Sequence, residues 1–313
     1  TGCSTNFFGN EEMKKNALPM KTMSEAIEIR NRVLLDFEEY ATASTEEKEK
    51  LMNIIIVGAG PTGVELSGAF AELKNDVLPK DYPKVDFSGL DIYLLEGSAN
   101  TLGNMSEDAK KMSRKYLEEL GVRIKTDVKL QSYDGNNAVL STGEVIPCKN
   151  LIWSAGVSGN IIEGVTEKEN IIRNRFIVDR QNRVKNTENI YALGDIAYME
   201  TPIYANGHPQ VANVAINQAK NLAKNFLNSL KNKPLKDYEY KDLGMMATIG
   251  KNKAVVDLKH LKFQGFTAWV VWMFLHLMLI LSVRNKLIIF INWAWAYITR
   301  DTSLRLIIKP RKD

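Results

Sequence analysis

The sequence predicts an α/β fold built on a parallel sheet, and three observations predict it. Ile54-Ile55-Ile56-Val57 is a short, unbroken, β-branched apolar run, the pattern of a strand buried on both faces. Gly58-Ala59-Gly60-Pro61-Thr62-Gly63 follows at once, and behind it Val64, Leu66, Ala69, Phe70 and Leu73 recur at helical steps. Asp91 to Leu95 then alternates as a second strand and ends on Glu96.

Strand, G-x-G-x-x-G and helix in that order suit a dinucleotide. Gly58 permits the tight turn, Gly60 lets the backbone approach a pyrophosphate, and Gly63 lets the helix pack close to the strand. The N–H groups of the first helical turn, where Pro61 and Thr62 lie, hold the anion with the helix dipole. Glu96 is placed to take a ribose hydroxyl. It stands 33 residues beyond Gly63, against the usual ~20. The excess falls in Lys74 to Leu90, which carries two prolines and reads as an inserted loop. A carboxylate there repels a 2′-phosphate, which favours NAD over NADP.

The chain's 313 residues suffice for about two domains. With 45% hydrophobic and 25% charged residues it has an ordinary globular composition. The net charge of +4 is uneven: Lys259 to Asp313 holds nine Lys or Arg against two Asp. A basic end on a mildly acidic body suggests an anionic surface as its partner, and no motif speaks for nucleic acid. Cys3 and Cys148 form neither a disulfide framework nor a C-x-x-C pair. His208, His260 and His276 are scattered and suggest no metal site.

Ahead of the organising strand, Ser24 reads as an N-cap with Glu25 in the first turn, and Ile27, Leu34, Phe37 and Ala41 mark one helix face. Thr42 to Lys50 reads as a polar linker. Ser106 caps a helix striped by Ala109, Met112, Tyr116, Leu117 and Leu120, and Gly121 ends it. After a strand at Val122 to Asp127, the turns Asp134-Gly-Asn-Asn137 and Thr142-Gly-Glu144 separate three short strands, a meander. Leu151 to Gly156 is an apolar strand with a small-residue end, where ligands lie in doubly wound sheets. Ile190-Tyr-Ala-Leu-Gly-Asp195 repeats that logic: a short buried strand delivers Gly194 and Asp195, and the carboxylate can bind a ribose or ribityl hydroxyl. A helix follows over Val211 to Leu230, with Val214, Ala215, Ala219 and Leu222 on its apolar face.

The tail holds an uncharged run of 18 residues, Phe266 to Val283, about 27 Å as a helix and near the lower limit for a membrane span. Arg284-Asn285-Lys286 interrupts it, and Leu287 to Thr299 is apolar again but only 13 residues long. A transmembrane hairpin needs a longer second stretch; a buried helix pair is the soluble alternative. Trp269, Trp272, Trp293 and Trp295 suit the headgroup level, and Arg300, Arg305, Lys309, Arg311 and Lys312 suit anionic lipid.

Thr1-Gly2, Thr5-Asn-Phe-Phe-Gly9, Gly58-Ala-Gly-Pro-Thr-Gly-Val-Glu65, Trp153-Ser-Ala-Gly-Val157, Tyr191-Ala-Leu-Gly-Asp195, Met246-Ala-Thr-Ile-Gly250 and the Trp-rich tail together resemble the type II NADH dehydrogenases, the single-subunit NADH:quinone oxidoreductases of respiratory membranes. The resemblance implies two Rossmann-like domains, one for FAD and one inserted for NADH, and a C-terminal helical region lying in the membrane interface. Residues 50–165 would bind NADH, 1–49 and 166–240 would belong to the FAD domain, and 241–313 would associate with the membrane. The family's first G-x-G-x-x-G should lie upstream of Thr1, so the chain reads as lacking roughly the first hundred residues.

By the same resemblance Glu65 is the catalytic candidate beside the nicotinamide, where a helix-dipole role is the bland alternative. Asp195 contacts FAD, and the cofactor-binding set takes in Thr1, Gly2, Ala155, Gly156, Gly194, Ala212, Asn213 and Val214. Ala212-Asn213 stands where the family has Ala-Gln; the shorter amide keeps donor and acceptor and loses a methylene of reach. Without a C-x-x-C pair, electrons leave the flavin directly, and an apolar basic tail brings it to membrane quinone on the cytoplasmic face. No charges in the apolar runs suggest a proton channel. A second copy of the chain is a further expected partner. Two other classes fit the motifs: a soluble NADH-dependent flavoreductase, and a non-catalytic NADH-binding redox sensor.

Overall fold

Ile54, Ile55, Ile56 and Val57 alternate between two cores because successive strand side chains point to opposite faces. The computed structural model, which describes residues 1–40 and 42–299, places Asn53–Val57 at the centre of a five-stranded parallel sheet. The strand order is Leu18–Pro19, Asn150–Trp153, Asn53–Val57, Asp91–Leu95 and Val122–Lys125. On one face Ile54, Ile56, Ile92 and Leu94 pack with Ile29, Val33 and Phe37 of the Met23–Tyr40 helix, Val64 and Phe70 of the Pro61–Glu72 helix, and Leu117. On the other, Ile55, Val57, Tyr93, Leu95, Leu151 and Trp153 pack with Met13, Tyr133, Leu140 and Ile146. Each large side chain so buried stabilises the fold by about 1.5–3 kcal/mol.

The expected meander is there. Leu130–Tyr133, Asn137–Leu140 and Val145–Pro147 pair antiparallel, and Asp134 Oδ1 accepts the Asn136 and Asn137 N–H groups at the first turn. A second small antiparallel sheet, Met245–Thr248, Ala254–Asp257 and Lys262–Gln264, packs beside the Pro61–Glu72 helix. Gly68 allows this: a Cβ there would stand 2.7 Å from the Gly250 nitrogen.

The chain forms two compact units. One comprises residues 1–6 and 156–242, the other residues 7–155 and 243–313. Residues 7–49, expected in the domain of the second dinucleotide, therefore belong with the parallel sheet. Their apolar side chains fill its core, and Leu18–Pro19 is its edge strand. The C-terminal region also belongs to that unit.

Several local expectations differ. Ser24 lies inside its helix: Thr22 Oγ1 accepts the Glu25 N–H, and the Glu25 carboxylate accepts the Lys21 and Thr22 N–H groups. Ala41 lies outside the described residues. The polar stretch 42–50 is largely helical, Thr45–Leu51, because Ser44 and Glu47 close a capping box that polarity alone does not reveal. Lys74 to Leu90 is not all loop: a π-helical turn, Leu73–Val77, and a short helix, Leu78–Asp81, continue the preceding helix, with Pro79 in a first turn that needs no N–H from it. Ala69 and Ala219 face solvent, small enough for either side of a helix.

In the first unit, Phe176, Val178, Val184, Ala192, Met199, Val214, Tyr238 and Tyr240 form the core. Among its described residues only one strand pair is parallel, Arg175–Ile177 with Ala197–Tyr198. Ile190 to Asp195 is not the expected buried strand. Ile190 is 39% exposed, Tyr191 makes a lone bridge with Arg183, and Gly194–Ile196 is a 3-10 turn.

The tail forms two helices, Phe266–Leu279 and Val283–Thr299. The break falls at residues 280–282, where Ser282 has φ +74°, and Arg284-Asn285-Lys286 lies inside the second helix. Ala268 is the single buried residue of the pair, so within this chain the two helices are not the buried pair of the soluble alternative. Among the described residues no helix is long and apolar enough to cross a membrane. Arg305, Lys309, Arg311 and Lys312 lie outside the described residues, as does Arg300.

Candidate dinucleotide and flavin sites

The glycine turn is built as its spacing predicts. Gly58 has φ +100°, and a Cβ on it would meet the Ala155 backbone at 2.9 Å, so the turn and the end of the Asn150–Trp153 strand touch. A Cβ on Gly63 would fall 1.8 Å from the Gly58 carbonyl oxygen. Ser154 Oγ donates to the carbonyls of Val57 and Gly58 and fixes the same corner. Gly60 is the contrast: a Cβ there meets nothing within 4 Å. It is the N-cap of the Pro61–Glu72 helix and offers no side chain to the first-turn N–H groups. Donors facing open space next to a bare backbone form the cradle that a pyrophosphate requires.

Glu96 lies beside this cradle. Its Oε2 accepts the Ala59 N–H at 2.8 Å, and its Oε1 accepts the Ser98 N–H and Oγ–H, each at 2.8 Å. A cavity of about 570 Å³ opens over the strand ends, lined by Gly58, Glu96, Gly97, Ala155 and, beyond the residues expected, Phe7, Phe8, Lys129 and Trp153. Phe7 and Phe8 stand 5.5 and 6.4 Å from the Trp153 ring, and Phe8 has a left-handed backbone, φ +52°. No spacing rule points to these aromatic groups, since they reach the cavity from two separate segments.

The other expected residues fall in the other unit. Gly194 has φ +71°; its N–H donates to the buried Gln218 side chain at 2.7 Å, and a Cβ on it would meet Ala215. This seats the Asp195 turn against the first turn of the Ala212–Ser229 helix. Ala212 and Asn213 begin that helix exposed and without a side-chain cap, and Val214 is buried. Asp195 Oδ2 accepts the Cys3 thiol at 2.8 Å, and its carbonyl accepts Gln210 Nε2. Thr1 and Gly2 are held by Asn160, which donates to both of their carbonyls. Gly156 follows the small-residue strand end and accepts the Asn6 N–H.

Residues 1–219 match the Pyridine nucleotide-disulphide oxidoreductase family. The chain belongs to that family. Residues 243–301 match the NDH2 C-terminal domain, which marks the type II NADH dehydrogenase branch of it. The type II NADH:quinone oxidoreductase NdhA of Mycobacterium tuberculosis is 30% identical over 311 residues, 96% of this chain and 65% of that protein. A probable NADH dehydrogenase of Dictyostelium discoideum is 30% identical over 296 residues, 93% of this chain and 65% of its own length. The chain thus spans about two thirds of the length of these relatives. The structure of NDH2 from Plasmodium falciparum in complex with NADH shares the fold, with a TM-score of 0.88 at 20% identity, covering 99% of this chain and 78% of that one.

In this member of the family Glu65 does not line the cavity. It is not in the first turn of its helix, which contains no acidic residue, so the helix-dipole reading fails. Its Oε1 accepts the Thr248 N–H at 3.2 Å, from the C-terminal sheet. Burial pushes its carboxyl up, against the opposing pull of that hydrogen bond, His276 and Trp272. His276 stacks on Trp272 with ring centres 3.8 Å apart, and its Nδ1 lies 2.8 Å from the Trp272 carbonyl oxygen. A carboxyl raised on folding favours the protonated native state; its stabilisation is complete below the unfolded value and lost as pH rises through the folded one. Glu65→Gln keeps an acceptor for Thr248. It should raise the melting temperature at neutral pH, with a gain that vanishes below about pH 4. Melting curves across pH check this; a gain independent of pH would contradict it.

Proposed function

We propose that the chain is the main part of an NADH:quinone oxidoreductase that passes electrons from NADH through FAD to membrane quinone without pumping protons. The cradle at Gly58, Gly60 and Gly63, open in front of Gly60 and flanked by Glu96, carries this reading. The relatives' names support its substrates: type II NADH:quinone oxidoreductase, and internal alternative NAD(P)H-ubiquinone oxidoreductase in Arabidopsis thaliana.

NADH fits the residues present: Gly60, Pro61 and Thr62 at the helix start hold its pyrophosphate and Glu96 a ribose hydroxyl. FAD fits Asp195, with Gly194 and the uncapped start of the Ala212–Ser229 helix. A flavin supplies hydride acceptance at N5, which no side chain offers. Asn213 serves the quinone side with a shorter amide than the family's. Glu65 is the catalytic candidate: a carboxyl raised by burial holds a proton more readily than a solvated one.

Cys3 and Cys148 are free cysteines, and Cys148 is wholly buried, its thiol pushed up to about 12 by burial, which does not favour a disulfide relay. The exposed apolar faces of the two tail helices support a peripheral position on the respiratory membrane, with anionic lipid under the basic end. The full-length protein should oxidise NADH with short-chain quinone and leave disulfide acceptors untouched. Turnover with a disulfide would overturn the acceptor assignment. NADH binding without turnover on any acceptor would favour the redox-sensor alternative.

A further inference from the structure

Lys129 is the cation at the rim of the dinucleotide pocket. Its backbone is stitched down on both sides: Lys129 N–H donates to Ser141 Oγ at 3.0 Å, and its carbonyl accepts the Ser141 N–H at 2.8 Å. Next to it, the Val128 N–H donates to the Glu96 carbonyl at 3.0 Å and the Asp127 N–H to the Ser98 carbonyl at 3.1 Å. The loop that carries Lys129 is thus tied to the Glu96–Ser98 turn. Its stem runs across Gly97, where a Cβ would touch Cγ and Cε at 3.6 and 3.8 Å. Among the described residues its ammonium makes no hydrogen bond or ion pair.

Glu96 is correspondingly occupied. A carboxylate has about four lone-pair positions, and three of them take the Ala59 N–H, the Ser98 N–H and the Ser98 Oγ–H. One position remains, enough for one ribose hydroxyl rather than a vicinal pair. Three donors also reduce the repulsion that this carboxylate exerts on an incoming anion.

We propose that Lys129 is a second selectivity residue, which receives a 2′-phosphate so that the pocket binds NADPH as well as NADH. This rests on the dinucleotide reading of the pocket and corrects the simple rule that a carboxylate at position 96 excludes the phosphate. An ammonium serves as a point charge for a phosphate dianion.

The test is calorimetric titration of the purified full-length protein and its Lys129→Ala variant with 5′-AMP, adenosine 2′,5′-bisphosphate, NADH and NADPH. The wild type should bind the bisphosphate at least as tightly as AMP. Lys129→Ala should weaken the bisphosphate and NADPH about five- to tenfold, from the loss of one partly solvated charge pair, and leave AMP and NADH within about twofold. Lys129→Arg should restore binding, and unchanged melting temperatures show that the fold survives. Equal losses for all four ligands would make Lys129 a mere wall of the pocket and overturn the proposal. So would an unchanged preference for AMP over the bisphosphate in both proteins. If NADH itself does not bind, the dinucleotide reading fails and this proposal falls with it.

Discussion

Gly63→Ala is expected to abolish NADH binding and to destabilise the fold by about 3 kcal/mol or more, as severe overpacking does. The added methyl would sit 1.8 Å from the Gly58 carbonyl oxygen, a backbone atom that no rotamer change can move. Strand and helix must therefore separate, which opens the buried contacts of Ile56 and Val64. Gly60→Ala is the matched control. Its methyl meets nothing within 4 Å, so the melting temperature should hold while NADH affinity falls. Melting curves with fluorescence titration of NADH separate the two. A Gly60→Ala protein that binds NADH as the wild type does would show that no pyrophosphate approaches there.

Leu279→Asp combined with Leu281→Asp is expected to release the protein from anionic vesicles. These side chains are 73% and 85% exposed at the junction of the two tail helices, and neither contributes to a core. The fold should therefore keep its melting temperature. Two charges placed in an apolar contact surface should lower vesicle partitioning at least about tenfold, since a carboxylate in an apolar lipid environment costs about 2 kcal/mol or more. Co-sedimentation with vesicles of mixed anionic and neutral lipid measures it. Undiminished binding by the variant would move the membrane contact away from this junction.

The parts of the fold that were legible in the sequence are those governed by short-range rules. The Ile54–Val57 strand, the glycine turn and the Asp134 hairpin each follow from local sterics or side-chain alternation. Elements set by a reciprocal hydrogen bond or a long-range packing choice were not legible. The Ser44–Glu47 capping box turned a polar stretch into a helix, and the packing of Ile29, Val33 and Phe37 drew residues 7–49 into the sheet's unit. The site divides the same way. Gly58 and Gly63 stand where the motif puts them, because the turn dictates them, and Glu96 stands at the end of the neighbouring parallel strand. Lys129, Phe8 and Trp153 come to the cavity from distant segments, and only the folded chain shows them together. Glu65 was visible as a residue, but its bond to Thr248, 183 positions away, was not.

The most direct measurement of the proposed activity is an anaerobic count of quinol formed against NADH consumed, with the full-length protein on vesicles that contain long-chain quinone. Equimolar quinol and NAD, with one proton taken up from the outer medium per NADH and none delivered to the vesicle lumen, is the predicted result. NADH that binds and is not consumed, or is consumed without quinol, would contradict the assignment of membrane quinone as the electron acceptor.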